Sequence, residues 1–209
     1  MFIAGRDTWR ITIDEPTVLR LALYLREVEQ LPVRLDPPIP ALEPGPRTWP
    51  VWARRPTHPA LPLAADALDR DAAAEQWALW WQHLLPLGDA ALAELRGPAF
   101  HALAGLPALQ VVLRHHHETA LAWAEGVGDD PRIKRDHLAA GGRLTGLVEA
   151  LERDLRRPVR PFELRLTVLG VRTKHAWVLS EQHLLLTHHL IADDENVIDW
   201  LRRRIGALA

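Results

Sequence analysis

Phe162-Glu163-Leu164-Arg165-Leu166-Thr167-Val168 alternates apolar and polar residues without a break. Side chains along a strand point to opposite faces with a period of two, so this run predicts a half-exposed β-strand. Working outward, Val171-Arg172-Thr173-Lys174 turns the chain, and His175 to Leu179 reads as a second strand. Glu181-Gln182 turns it again into a third, from His183 to Ile191. Three short strands in succession predict a small antiparallel meander. Asp193-Asp194-Glu195 then opens a final helix with Arg202-Arg203-Arg204 near its end, a charge order that complements the helix dipole.

Upstream the period changes from two to 3.6. Leu144, Leu147, Val148, Leu151 and Leu155 mark an amphipathic helix over 143–157, following a Gly141-Gly142 break. A helix over 107–125 precedes it, ended by a turn from Gly126 to Pro131, and two short helices are expected at 89–96 and 98–104. Trp77, Trp80, Trp81, Leu84 and Leu85 fall on one face of a helix over 66–85. At the start of the chain, Thr8 to Ile13 alternates as a strand. Asp14 stands where an N-cap belongs, and Pro16 falls in the first turn of a helix over 15–30.

Between these lies a different kind of chain. Ten of the 17 prolines fall within 32–62. Proline lacks an amide hydrogen and fixes φ, so neither helix nor central strand persists there. Ile39, Leu42, Trp49, Val51, Trp52 and Leu61 punctuate the segment, which predicts an irregular arm lying on a surface. The fold class is therefore α+β, read as one domain over 1–209. Residues 1–31 give a strand and a helix, 32–62 the proline-rich arm, 63–157 a helical body, and 158–209 the meander and C-terminal helix. The N-terminal strand is expected to join that sheet.

Composition limits the chemistry. The 209 residues contain no cysteine, which removes disulfides, thiolate metal sites and cysteine nucleophiles. Ser180, Asn196 and Tyr24 are each the sole residue of their type, and Lys134 and Lys174 are the only lysines. The net charge of −2 offers no field for nucleic acid or a membrane surface. No apolar run approaches the ~20 residues of a spanning helix, and Met1 to Asp7 lacks the order of a signal peptide, so a cytoplasmic location is expected.

Histidine, with 11 copies, is the reactive side chain in excess. In His115-His116-His117 successive helical positions are about 100° apart, so the three cannot converge on one metal. His116 falls within the apolar stripe and reads as an inward, hydrogen-bonded histidine. His115 and Glu118 are three residues apart and can share a site. In the second cluster a strand reading puts His183 and His189 on one face, with Asp193 and Asp194 beyond. His189 with either acid is a candidate ligand pair for zinc or manganese. Ser180 lacks the glycine-flanked setting of a hydrolase nucleophile and reads as a turn residue. Trp49 and Trp52, with Arg54 and Arg55, resemble interface anchors, because tryptophan and arginine are enriched at binding hot spots.

The sequence thus points first to a non-catalytic protein-interaction or assembly protein, with a protein partner or a second copy and no cofactor. The alternative is a metal-dependent or His/Asp-dependent enzyme using His115, Glu118, His189, Asp193 and Asp194.

Overall fold

In the computed structural model the structure describes residues 2–6, 9–49, 61–64, 66–97, 99–193 and 195–208. The regular elements are strands β1 (Phe2–Arg6) and β2 (Trp9–Asp14), then helices α1 (Thr17–Val28), α2 (Arg70–Leu87), α3 (Pro107–Gly128) and α4 (Pro131–Leu155). Strands β3 (Phe162–Leu169), β4 (Ala176–Ser180) and β5 (His183–Thr187) follow, with helices α5 (His188–Asp193) and α6 (Glu195–Leu208). Two 3-10 segments, Gly88–Leu95 and His101–Leu103, stand where short helices are expected. The α+β class holds. By packing, the chain forms two compact units: Met1–Glu15 with Pro131–Ala209, and Pro16–Asp130.

The first unit is a five-stranded sheet in the order β1-β2-β3-β5-β4. The N-terminal strand does join it. β2 pairs parallel to β3, with Trp9 opposite Phe162 and Ile13 opposite Leu166. The meander is corrected: β5 lies between β3 and β4, parallel to β3 and antiparallel to β4. Periodicity shows which face of a strand is buried but not which neighbour it takes, so strand order was not readable from the pattern. The alternating apolar set Trp9, Ile11, Ile13, Phe162, Leu164, Leu166, Val168, Leu184 and Leu186 lines one face. It forms one core with Leu144 and Val148 of α4, Ile191 of α5, and Leu201 and Ile205 of α6.

Three further corrections concern helices. α4 begins at Pro131, so Gly141-Gly142 lies inside it rather than before it. Gly141 is buried and Gly142 exposed, and the apolar stripe beginning at Ala140 carries the helix through them. The expected third strand ends at Thr187, and His188 and His189 open α5. The N-cap of α1 is Pro16 rather than Asp14, which stays in β2.

The second unit is built around α1, whose apolar positions from Val18 to Leu25 are all buried. Trp77 of α2 donates its indole N–H to the Ala22 carbonyl at 2.7 Å and stacks on Trp81. From α3, Trp123 packs against Tyr24, with ring centroids 5.2 Å apart. The described residues of the proline-rich segment, 32–49 and 61–62, hold no helix or ladder strand. Several of their backbone groups pair with side chains of the helices. Arg26 donates to the carbonyls of Ile39 and Pro40 at 2.9 and 2.7 Å, Glu27 accepts from the Leu42 amide, and Trp123 donates to Thr48. Proline removes amide donors from this run, so part of its hydrogen bonding comes from other elements.

The reading of α4 as one continuous helix is testable at its glycines. Gly142 and Gly146 are exposed, and a Cβ at either meets nothing within 4 Å. Gly142→Ala and Gly146→Ala are each expected to stabilise the protein by about 0.5–1 kcal/mol, read as a raised urea midpoint with unchanged slope. A helix that broke at Gly141-Gly142 would instead be strained or unaffected by the first substitution.

Candidate functional site

Three clusters of ionisable side chains stand out. In the second unit, Glu29 follows α1 as its C-terminal cap and is fully buried. Its Oε1 receives the Nε2 of buried His116 at 2.5 Å and the amide of Leu63 at 2.8 Å. Arg70, from the first turn of α2, donates to Oε2 at 3.3 Å and to the Glu29 backbone carbonyl at 3.2 Å. Burial, the largest effect, pushes His116 below the ordinary imidazole range, against the opposing pull of Glu29. Burial thus favours the neutral imidazole, while Nε2 is held against the carboxylate. The single charge of Glu29 is balanced by Arg70, and the cluster closes on itself.

The second cluster lies in the first unit, on the sheet face opposite the apolar core. The Thr167 hydroxyl donates to Oδ1 of Asp14 and meets Nε2 of His183, both at 2.9 Å. Arg165 grips Oδ2 of Asp14 through Nε and a terminal nitrogen, each at 3.0 Å. Burial, then Arg165, lowers the pKa of His183, while Asp14 pulls the other way. The arrangement resembles a relay, but Thr167 is fully buried and cannot reach a substrate. Its chemistry is to hold β2, β3 and β5 in register.

The third cluster joins the end of β2 to the starts of α4 and α5. His137 Nε2 lies 3.7 Å from Glu15, and His188 Nε2 lies 3.5 Å from Asp136. The two imidazoles are 6.4 Å apart between centroids. Among the described residues, no three histidine, aspartate or glutamate side chains are placed to hold one metal ion.

The residues singled out from sequence fall as follows. His116 is the inward histidine of its triplet, while His115 and Glu118 are both exposed on α3. His189 is exposed and sits in α5 rather than on a strand with His183. Asp193 ends that helix, and Asp194 lies outside the described residues. Trp49 is half-buried, and Trp52, Arg54 and Arg55 lie outside the described residues. Ser180 Oγ accepts from the Gln182 amide, the turn role its setting suggests. Burial pushes the Tyr24 hydroxyl up to about 12. Sequence reasoning missed Glu29, Arg70, Asp14 and Thr167. A signal for Asp14 existed, since it extends the alternation of β2 by one residue.

Compared with known proteins, the chain matches no protein-family model, no curated protein and no solved structure.

The direction of the histidine shifts sets a pH dependence. For His116, His117 and His183 burial is the first cause and lowers the pKa in the fold. The unfolded chain therefore takes up protons first on acidification. The stability these groups contribute is full above the unfolded value of about 6.5 and is lost as pH falls through the folded values. The urea midpoint should drop between pH 7 and pH 5. His116→Ala, which strips a partner from a buried carboxylate, should cost about 3 kcal/mol at pH 7 and flatten that drop. A midpoint unchanged by either would refute the buried pair.

Proposed function

We propose that this chain is a non-catalytic protein-interaction or assembly protein. The observation that carries the proposal is the open edge of the sheet. β4 is the last strand in the order, with no strand on its outer side among the described residues. Val178 and Leu179 stand 52% and 38% exposed on it. An uncovered edge offers unpaired backbone donors and acceptors to another chain, and proteins commonly blunt such edges with charge or proline. Ala176-Trp177-Val178-Leu179-Ser180 carries neither. Trp49 and Trp52, with Arg54 and Arg55, remain in this reading as anchors for a partner.

A metal-dependent or His/carboxylate enzyme is the second reading. What supports it is the helical form of α5, in which positions 189 and 193 are one turn apart, a spacing from which two ligands can serve one ion. His115 and Glu118, three apart on α3, have the same kind of spacing.

Two measurements separate the readings. In native extract the chain should migrate in a complex larger than its 23.6 kDa, and Val178→Lys should release it to the monomer position. Metal analysis of untagged protein should give no stoichiometric transition metal. A monomer in extract carrying one metal per chain, lost in His189→Ala, would overturn the proposal in favour of the enzyme.

A further inference from the structure

Residues 61–64 lie at the Glu29 cluster with little to fasten them by packing. Leu61 is 65% exposed, Pro62 and Ala64 are exposed, and Leu63 is half-buried. So small an apolar contact leaves the hold on the helices to polar bonds. Both are made by the backbone of Leu63. Its amide donates to Oε1 of Glu29 at 2.8 Å, and its carbonyl accepts from the Arg70 guanidinium at 2.7 Å. The same Arg70 nitrogen reaches Oε2 of Glu29 at 3.3 Å. One ion pair thus closes on both backbone groups of one residue.

His116 meets that ion pair from α3, with Nε2 2.5 Å from the oxygen that receives the Leu63 amide. Among the described residues, the charged and titratable groups facing it are Glu29 at the end of α1, Arg70 of α2 and His115 beside it on α3. The two imidazoles of α3 lie 4.5 Å apart between centroids. The charges of Glu29 and Arg70 cancel. A proton taken up by Glu29 or His116 therefore leaves one net positive charge out of water, which is costly. Burial, the largest effect, lowers His116, so the closed cluster resists a proton that an opened one takes. Lifting 61–64 lets water reach the charge while the helices stay packed.

We infer that 61–64 is a latch, shut by Glu29 and Arg70 and released by proton uptake at the Glu29–His116 pair without unfolding of α1, α2 or α3. The latch is independent of the β4 edge. It also differs from the general loss of stability on acidification, because one stretch opens alone.

Amide hydrogen exchange of the full-length chain tests it, with Leu63 read against Leu23 of α1 and Leu113 of α3. Corrected for the intrinsic effect of pH on exchange, Leu63 should lose protection below about pH 6.5, by up to about tenfold per pH unit, the limit for one proton. Its opening should be insensitive to low urea, because little surface is exposed, whereas the openings of Leu23 and Leu113 should respond. His116→Gln keeps a donor without the titration and should abolish the pH response of Leu63. Arg70→Gln should lower Leu63 protection at least about tenfold at pH 7. Leu63 exchanging only together with the helices, at their protection and with their urea dependence, overturns the inference. A Leu63 protection independent of pH in the unaltered chain overturns it as well, whether or not the variants fold. So does a pH response that survives in folded His116→Gln, or a folded Arg70→Gln that protects Leu63 fully.

Discussion

Parallel pairing of β2 with β3 is the constraint on which the rest of the chain depends. Antiparallel neighbours can be joined by a two-residue turn, but parallel ones need a crossover. Here the chain leaves β2 at Asp14, builds the whole of the second unit, and returns through α4 before β3 begins at Phe162. The N-terminal residues therefore complete a sheet whose other strands belong to the last quarter of the sequence. The pairing is fixed from both sides. Apolar register partners face α4, and on the reverse face Asp14 is tied to Arg165 and Thr167.

The second unit answers a different demand. Its proline-rich segment supplies carbonyls without matching amides, and α1 supplies the missing groups from otherwise apolar surroundings. Arg26 is nearly buried, yet each of its terminal nitrogens is used. Glu29, one turn beyond, gathers His116, Arg70 and the Leu63 amide on one carboxylate. Buried charge is tolerated when every lone pair is met, and removing any one partner exposes the cost of desolvation. These residues have the look of a reaction centre, but their bonds are already spent on joining α1 to α2, α3 and the re-entering chain.

The exposed edge stands apart from this economy. Val178 and Leu179 of β4 are exposed at the end of the strand order, where no further strand follows among the described residues. The proposed association would use the backbone of this edge rather than a cluster of reactive side chains.

Much of this was legible in the chain itself. The alternation at 162–168, the tryptophan stripe at 77–85 and the inward turn of His116 follow from periodicity, which is local and survives without knowledge of the fold. The α+β class and the absence of thiol chemistry follow from the same kind of reading. What the chain could not disclose were the partners. Strand order, the parallel junction at Asp14, the continuation of α4 through Gly141-Gly142 and the meeting of Glu29 with His116 across 87 positions all depend on which surfaces meet. Local pattern determines which side of an element must be covered. Only tertiary packing decides what covers it, because many apolar faces can satisfy one another equally well until the polar groups between them must also be paired.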